Sequence, residues 1–276
     1  MNVGIVGRGF VGGAIYKFLS NSSHTTYSYD ITDDLDINDG YLNIVENCEI
    51  IYLCLPTPMD KEGRCCTEIV ESSLSLLNRY AIQLSVKPII LIKSTLVPGT
   101  TNRLQLQFDG LTIVTNPEFL TERNAEEDFR NSTRHILGIP SNNDILGRKL
   151  ENYYRTMWPD AEIIKVSPTE AELIKYIINS YLSVRVGFAN HMFEICAALN
   201  IDYNNLIEIV HHSDSRLGSS HWNVPGPDGK FGFGGSCFPK DLSGLIKLFE
   251  DKNLDSSIFK ATQGYNMKIR NDDENT

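Results

Sequence analysis

The segment GRGFVG at residues 7–12 constrains the fold more than any other stretch of this chain. It lies between the apolar run VGIV and the helix-like stretch GAIYKFL, so a strand leads through a glycine turn into a helix. In such a turn Gly7 permits the sharp reversal, Gly9 lets backbone amides approach a pyrophosphate, and Gly12 allows close packing. The amino end of the helix also presents free N–H groups to phosphates. The segment predicts a dinucleotide-binding turn formed by Gly7, Arg8, Gly9, Phe10, Val11 and Gly12.

The next apolar stretch, TTYSYD, ends in Asp30. A carboxylate at this point can accept hydrogen bonds from both ribose hydroxyls of NAD and repel the 2′-phosphate of NADP. The alternative is a generic strand–helix turn with a surface aspartate, and Arg8 is a nearby cation that suits NADP. The flanking strands, the glycine spacing and the acid together predict NAD as the cofactor.

Strand-like and helix-like stretches alternate through the first half of the chain. Helical spacing is clear from Glu68 to Tyr80, and this alternation is typical of a parallel sheet wrapped by helices. The other predicted strands are VGIV at 3–6, IIYLCL at 50–55, PIILI at 88–92, LTIVT at 111–115, HILGI at 135–139 and EIIKV at 162–166.

The pattern becomes all-helical near residue 165. A helix of about 30 residues is expected from Thr169 to Asn200, capped by Ser167 or Thr169, with shorter helices from Tyr203 to His212 and after Pro239. The fold class is therefore α/β: a Rossmann-type parallel sheet followed by an all-helical region with a long central helix. The predicted domains are 1–165, which binds NAD, and 166–276.

Composition excludes several kinds of partner. The formal net charge of −10, without a basic run, argues against nucleic acid and against an anionic membrane surface. None of the six cysteines stands in a CxxC spacing, so neither a disulfide framework nor a thiolate zinc site is expected, and no metal site is predicted. The apolar runs are too short to span a bilayer, and the first residues already form a strand, which leaves no room for a signal peptide. A cytoplasmic protein is expected.

Two polar groupings could carry chemistry. Cys237 lies within GFGGSCFPKD, where a thiol could be a small buried hydrophobe, a metal ligand or a nucleophile. Lys175 and Asn179 are four residues apart on the long helix, so an ammonium and an amide share one face and could polarise an alcohol. The alternative is a surface lysine with a capping-type asparagine, although the neighbours of Asn179 are largely apolar.

These features together resemble the UDP-glucose/GDP-mannose dehydrogenase family of nucleotide-sugar 6-dehydrogenases. The resemblance runs in order from residue 3 to residue 241, through VGIVGRGFVG, CLPTPMD, IKSTLVPGTT, NPEFLTE, AELIKYIINSYLSVRVGFAN and GFGGSCFPKD, the last being the most specific. It implies a four-electron oxidation of a nucleotide sugar, UDP-glucose above all, to the uronic acid with NAD, of the kind that supplies polysaccharide biosynthesis.

The resemblance also implies residue roles. Cys237 would be the nucleophile that forms a thiohemiacetal and then a thioester, and Lys175 with Asn179 would stabilise the alkoxide and the tetrahedral oxyanion. Glu118 would act as acid and base through a water that Thr95 positions, with help from Asp241. The remaining cofactor contacts would be Leu55, Pro56, Thr57, Pro58, Ser94 and Glu122. The substrate contacts would be Glu118, Phe119, Leu120, Lys175, Asn179, Phe231, Gly232, Phe233 and Gly234, together with Arg216 reaching a neighbouring subunit's sugar. Helix 169–200 would form a homodimer.

Three features depart from the family pattern. His191 replaces an acid and is expected to be a packing residue. Family members continue past the NMKIRN region into a third domain that grips the base, whereas this sequence stops at Thr276, so base recognition is expected to be weak. The stretch 219–230 is longer than is common, and its Trp222 is expected either to stack on a base or to anchor a loop.

Two other functions are consistent with parts of the sequence. A two-electron dehydrogenase of the 3-hydroxyacid type shares the Rossmann domain, the long helix and the Lys–Asn spacing, but lacks the cysteine stretch. A binding or regulatory protein that lost its substrate domain is the second alternative. The intact set of predicted catalytic residues argues against such decay.

Overall fold

The computed structural model describes residues 1–140 and 143–270 and divides the chain into two compact units. The sheet unit comprises Met1–Pro58 and Cys66–Lys175, and the helical unit comprises Met59–Cys65 and Tyr176–Thr276. Residues 271–276 of the predicted second domain lie outside the described residues. The predicted domain boundary at 165/166 stays a prediction.

All seven predicted strands are present in one sheet of order β2-β1-β3-β4-β5-β6-β7. Their bounds are β1 Asn2–Val6, β2 Thr25–Tyr29, β3 Ile50–Leu53, β4 Ile89–Ile92, β5 Thr112–Thr115, β6 Arg134–Gly138 and β7 Glu162–Val166. The expected parallel sheet is confirmed by five parallel pairings, and one pairing departs from it: β6 runs antiparallel to β5 through the pair Thr115 and Gly138. The connection between them contains a 3₁₀ helix, Glu122–Asn124, that continues into the six-residue helix Ala125–Arg130.

Helices flank the sheet and bury two apolar clusters. They are α1 Phe10–Ser20, α2 Ile37–Asn47, α3 Glu68–Leu84, α4 Thr100–Gln107, α5 Ala125–Arg130 and α6 Asp144–Met157. Successive side chains of a strand point to opposite faces, so in β3 Ile50 and Tyr52 pack into one cluster while Ile51 and Leu53 pack into the other. With both faces covered, the carboxyl edge of the parallel strands is the edge available to a ligand.

The long helix α7 runs from Pro168 to Ala198, close to its predicted bounds. Its first turn is closed by a capping box: Ser167 Oγ accepts from Glu170 N at 3.3 Å, and Glu170 Oε2 accepts from Ser167 N at 2.8 Å. The other helices are α8 Tyr203–Ser213, α9 Phe238–Asp251 and α10 Ser257–Ile269. The last of these, α10, was not among the predicted helices.

Neither a membrane-spanning helix nor a metal-binding cluster is found among the described residues. Within 1–140 and 143–270, no helix combines the length and the apolar character that a bilayer crossing requires. In the same ranges, no three side chains of histidine, cysteine, aspartate or glutamate form a cluster that could hold a metal ion. None of the six cysteines, all of which lie in these ranges, forms a disulfide.

Candidate active site

The glycines of the GRGFVG turn have different surroundings. Gly7 has a φ of +86°, and a side chain there would overlap the carbonyl oxygen of Cys54. A side chain at Gly12 would overlap the carbonyl oxygen of Gly7, whereas no surrounding atom lies within 4 Å of the Cβ position of Gly9. The fold therefore requires glycine at Gly7 and Gly12, while Gly9 faces open space in which backbone amides could meet a pyrophosphate.

The carboxylate of Asp30 is held at the end of β2. Its Oδ2 accepts from the backbone N–H of Arg8 at 2.6 Å, and its Oδ1 accepts from the N–H and hydroxyl of Thr32 at 3.0 and 2.8 Å. The Arg8 hydrogen bond, opposed by burial, lowers the pKa of Asp30 below its usual value. The Arg8 guanidinium contacts Asp33, so this nearby cation already has an anionic partner.

The loops that follow β3 and β4 are joined by Ser94. Its hydroxyl donates to Leu55 O at 2.6 Å and accepts from Leu55 N at 3.2 Å. Of the predicted cofactor stretch, Thr57 is buried and both Pro56 and Pro58 are exposed. Thr95 follows directly and is half-buried. Ser94 therefore fixes one loop against the other at the carboxyl edge of the sheet.

Glu118 and Lys175 form a buried ion pair in the sheet unit. The ammonium of Lys175 lies 3.1 Å from Glu118 Oε1 and also donates to the main-chain oxygen of Glu118. The other carboxylate oxygen accepts from Leu120 N at 2.7 Å. The two side chains are 5% and 7% exposed, so neither charge is well solvated by water. The pair gives this site a positive donor and a proton acceptor in fixed relation.

Lys93 is a charged group beside this pair that the sequence analysis did not assign. It is buried and donates to Asn116 Oδ1 at 2.9 Å, and the hydroxyl of Tyr154 donates to the same oxygen at 2.6 Å. Desolvation lowers the pKa of Lys93 to about 8, against the opposing effect of the Glu118 charge. The sequence feature that could have pointed to Lys93 is its position directly after the apolar strand PIILI.

His135 lies deeper in the same sheet unit. Its ring packs against Tyr154 and Trp158 with centroid distances of 4.6 and 4.4 Å. Burial lowers its pKa from 6.5 to about 3, with a smaller contribution from the charge of Lys93. It is therefore a neutral core side chain at physiological pH.

Asn179 and Asp241 meet in the helical unit. Asn179 Nδ2 donates to Asp241 Oδ2 at 2.6 Å, and the ammonium of Lys240 contacts Oδ1 of the same carboxylate. Asp241 is fully buried, and Lys175 and Asn179 are also buried. Asn179 lies inside α7 and not at its end, so the alternative of a surface lysine with a capping-type asparagine does not hold. Lys240, which belongs to the cysteine stretch, thus has Asp241 as its anionic partner.

Cys237 is the N-cap residue of α9 and is half-buried. Its Sγ lies 3.7 Å from the hydroxyl of Ser236, and its carbonyl oxygen accepts from Asp241 N at 2.8 Å. Cys237 therefore lies at the amino end of α9, which is the positive end of the helix dipole.

The remaining predicted residues are spread over both units. Phe119, Glu122 and Phe231 are exposed, Leu120 is half-buried, and Phe233 is buried in a cluster with Leu242 and Ile246. The side chain of Arg216 is 88% exposed and contacts Asp214.

Trp222 has the second of its two expected roles, that of a loop anchor. Trp222 is 5% exposed within a core cluster and donates from Nε1 to Gly218 O at 3.0 Å, so it anchors its loop and is not a platform for a base. His191 is an exposed side chain whose ring stacks on Tyr265 at a centroid distance of 3.6 Å, in agreement with a packing role.

Comparison with known proteins covers both units. Residues 32–158 match the NAD binding domain of the UDP-glucose/GDP-mannose dehydrogenase family, and residues 169–268 match its central domain. The UDP-glucose 6-dehydrogenase of Rickettsia bellii is 33% identical over 233 residues, which cover 82% of this chain and 51% of that protein. The chain spans about half the length of this relative and of similar ones from Bacillus subtilis and Rickettsia prowazekii.

Solved structures show the same fold. A UDP-glucose dehydrogenase from Pyrobaculum islandicum superposes with a TM-score of 0.85 at 25% identity, covering 97% of this chain and 68% of that one. The 3-hydroxyisobutyrate dehydrogenase of Mycobacterium tuberculosis superposes with a TM-score of 0.72 at 15% identity, covering 97% and 92%, and shares the fold alone. The matched NAD binding domain identifies NAD as the cofactor. On these grounds, the chain belongs to the UDP-glucose/GDP-mannose dehydrogenase family.

Proposed function

We propose that this chain oxidises the primary alcohol of a nucleotide sugar, UDP-glucose first of all, to the carboxylate in two NAD-dependent steps. The observation that carries the proposal is the place of Cys237 at the amino end of α9 in the stretch GFGGSCFPKD. A dehydrogenase that stops at the aldehyde has no use for a thiol at its site, whereas one that continues to the acid needs a nucleophile.

NAD, when bound, accepts one hydride in each of the two oxidations. Glu118 suits the proton transfers, because its carboxylate is buried and is held by Lys175 and by Leu120 N. In this proposal the proton of the alcohol passes to Glu118 through a water that Thr95 positions. The ammonium of Lys175 stabilises the negative charge that develops on the sugar oxygen, and Asn179, one helical turn further along α7, adds an amide donor.

The second oxidation uses Cys237. Its thiolate adds to the aldehyde carbon and forms a thiohemiacetal, from which a hydride leaves to give a thioester. Water then attacks the thioester carbon, which releases the carboxylic acid and returns the thiol. This water supplies the second carboxylate oxygen without a change of oxidation state. The alcohol and the thiohemiacetal each lose one hydride to NAD, so two hydrides are delivered for each sugar. Asp241 assists by holding Asn179 and Lys240 in place.

We also propose that two copies pair through α7. Five large apolar side chains of this helix are between 48% and 60% exposed: Ile177, Tyr181, Phe188, Ile195 and Leu199. The steps from Ile177 to Ile195 are four, seven and seven residues, which is the spacing of one helix face. Water contact on such a row is unfavourable, and a second copy of the same helix would remove it. Cysteines that form no disulfide are consistent with the cytoplasmic location that we propose.

The test is the yield of NADH with purified protein and a panel of nucleotide sugars. We expect two molecules of NADH for each UDP-glucose consumed, with the uronic acid as product. A yield of one NADH, with the aldehyde or ketone as product, would favour the two-electron alternative. No NADH from any sugar, with NAD binding intact, would favour the binding or regulatory alternative.

A further inference from the structure

The glycine-rich stretch that leads to Cys237 is fastened by the side chain of Asn266, which belongs to α10. Asn266 Oδ1 accepts from Phe233 N at 2.8 Å, and its Nδ2 donates to Phe233 O at 2.9 Å. One amide therefore satisfies both backbone groups of a single loop residue. Asn266 is only 9% exposed, and a buried backbone group that loses its partner is costly, so this two-point attachment strongly favours one loop conformation.

A second amide holds the preceding residue from α7. Asn190 Oδ1 accepts from Gly232 N at 3.1 Å, while its Nδ2 donates to Val186 O at 2.9 Å. The bond to Val186 fixes which way the amide is turned, so its oxygen is directed at the loop. Asn190 is 3% exposed. Two neighbouring loop residues are thus attached to two different helices.

Arg270 completes the attachment. Its guanidinium contacts Asp228, upstream in the same loop, and a side chain on Gly234 would overlap that guanidinium. Likewise, Gly232 has a φ of +69°, and a side chain there would overlap Asn266 Oδ1. These two glycines make room for protein side chains.

Gly235 differs from the other glycines of the stretch. It has a φ of +75°, is exposed, and has no surrounding atom within 4 Å of its Cβ position. The open side of the loop therefore begins at Gly235, two residues before Cys237. The loop has a packed part, which Asn190, Asn266 and Arg270 hold, and an open part, which leads to the thiol.

We propose that Asn190, Asn266 and Arg270 are positioning residues that fix the orientation of Cys237. This inference rests on the proposed function, in which the thiol must reach the aldehyde carbon before the aldehyde leaves. A nucleophile held in one orientation reacts as an intramolecular group, and this advantage falls steeply when the loop that carries it moves. The first oxidation needs no thiol, so release of the loop impairs the second oxidation more than the first.

The experiment compares Asn266→Ala, Asn266→Asp and the matched control Lys268→Ala, an exposed residue of the same helix. For Asn266→Ala we expect acid formation to fall by about tenfold or more, with NADH per sugar dropping from two toward one and aldehyde released. Asn266→Asp keeps the acceptor for Phe233 N but loses the donor to Phe233 O, so an intermediate loss is expected. The control and the affinity for NAD should not change.

Hydrogen exchange of the loop amides gives a readout that needs no sugar. We expect the peptide that contains residues 231–236 to exchange about tenfold faster in Asn266→Ala than in the control. Normal acid yield in Asn266→Ala or Asn266→Asp, with the melting temperature unchanged, would overturn the inference. Should Asn266→Ala fail to fold, Asn266→Asp decides alone. Failure of the proposed function can be distinguished from failure of this inference. In that case the unmodified protein itself would not give two NADH per sugar.

Discussion

The side-chain amide of Asn179 donates a 2.6 Å hydrogen bond to Oδ2 of Asp241, a carboxylate with no exposed surface. The ammonium of Lys240 contacts the other oxygen. Asn179 belongs to α7 and Asp241 to α9, whose N-cap residue is Cys237. The bond therefore joins the helix that carries the proposed oxyanion donor to the helix that begins with the proposed nucleophile.

Asn179→Ala should lower the stability of the protein. The substitution leaves Asp241 Oδ2 buried without its amide partner, and an unsatisfied buried acceptor costs ~1–3 kcal/mol. Urea unfolding measures the loss, with Asn205→Ala as a control at an exposed amide of α8. Equal unfolding free energies for Asn179→Ala and the control would show that the bond contributes nothing to stability.

Lys175→Ala should lower turnover much more than affinity for NAD. The ammonium acts on negative charge that develops in the transition state, and loss of one such donor raises the barrier by ~2.7–4 kcal/mol. Steady-state kinetics and NAD titration separate the two effects. Turnover within about threefold of the unmodified protein would make Lys175 a structural partner of Glu118.

Asp30→Ala should weaken the preference for NAD over NADP. The carboxylate is ionised at neutral pH and would repel a 2′-phosphate, whereas the guanidinium of Arg8 is already engaged by Asp33. We expect the unmodified protein to prefer NAD by about tenfold or more, equivalent to ~1.4 kcal/mol. Asp34→Ala, an exposed neighbour, is the control. A preference for NADP in the unmodified protein would refute the role of Asp30.

Lys93→Met should change how stability depends on alkaline pH. Burial lowers the pKa of Lys93 from 10.5 to about 8, so between these values the unfolded chain holds a proton that the native protein has lost. The free energy of unfolding therefore gains a contribution that rises with pH in this window, by at most ~1.4 kcal/mol per pH unit.

The measurement is urea unfolding at several pH values from 8 to 10.5 for the unmodified protein and for Lys93→Met. Tyrosines that titrate in a similar pH range contribute to both curves. The difference between the curves therefore leaves the contribution of Lys93 to the free energy of unfolding. Parallel curves would mean that Lys93 is solvated like a surface lysine.

Apolar runs and glycine spacing predicted most of the sheet unit. The seven strands and α7 were found because each is a local pattern that ends at turn residues or at a cap. The antiparallel direction of β6 was not predicted, because strand direction depends on the path of the connection after β5, which leaves no local pattern in the sequence. Helix α10 was missed because its only buried residue is Asn266, which gives no apolar periodicity.

Residues at the site were predicted to different degrees. Glu118, Lys175, Asn179, Asp241 and Cys237 were proposed from their motifs, but the pairing of Asn179 with Asp241 joins residues 62 positions apart and has no local signal. The burial of Lys93 and the attachment of the loop by Asn266 are likewise tertiary. Sequence alone does not reveal them, because lysine and asparagine are usually exposed.

Product analysis of the Cys237→Ser variant tests whether Cys237 carries the second oxidation. The serine variant should keep NAD binding and a slow first oxidation, since Glu118, Lys175 and Asn179 remain. Its hydroxyl is a much poorer nucleophile than a thiolate, so no uronic acid should accumulate from UDP-glucose. Formation of the acid at the rate of the unmodified protein would contradict the thioester route and the account built on it.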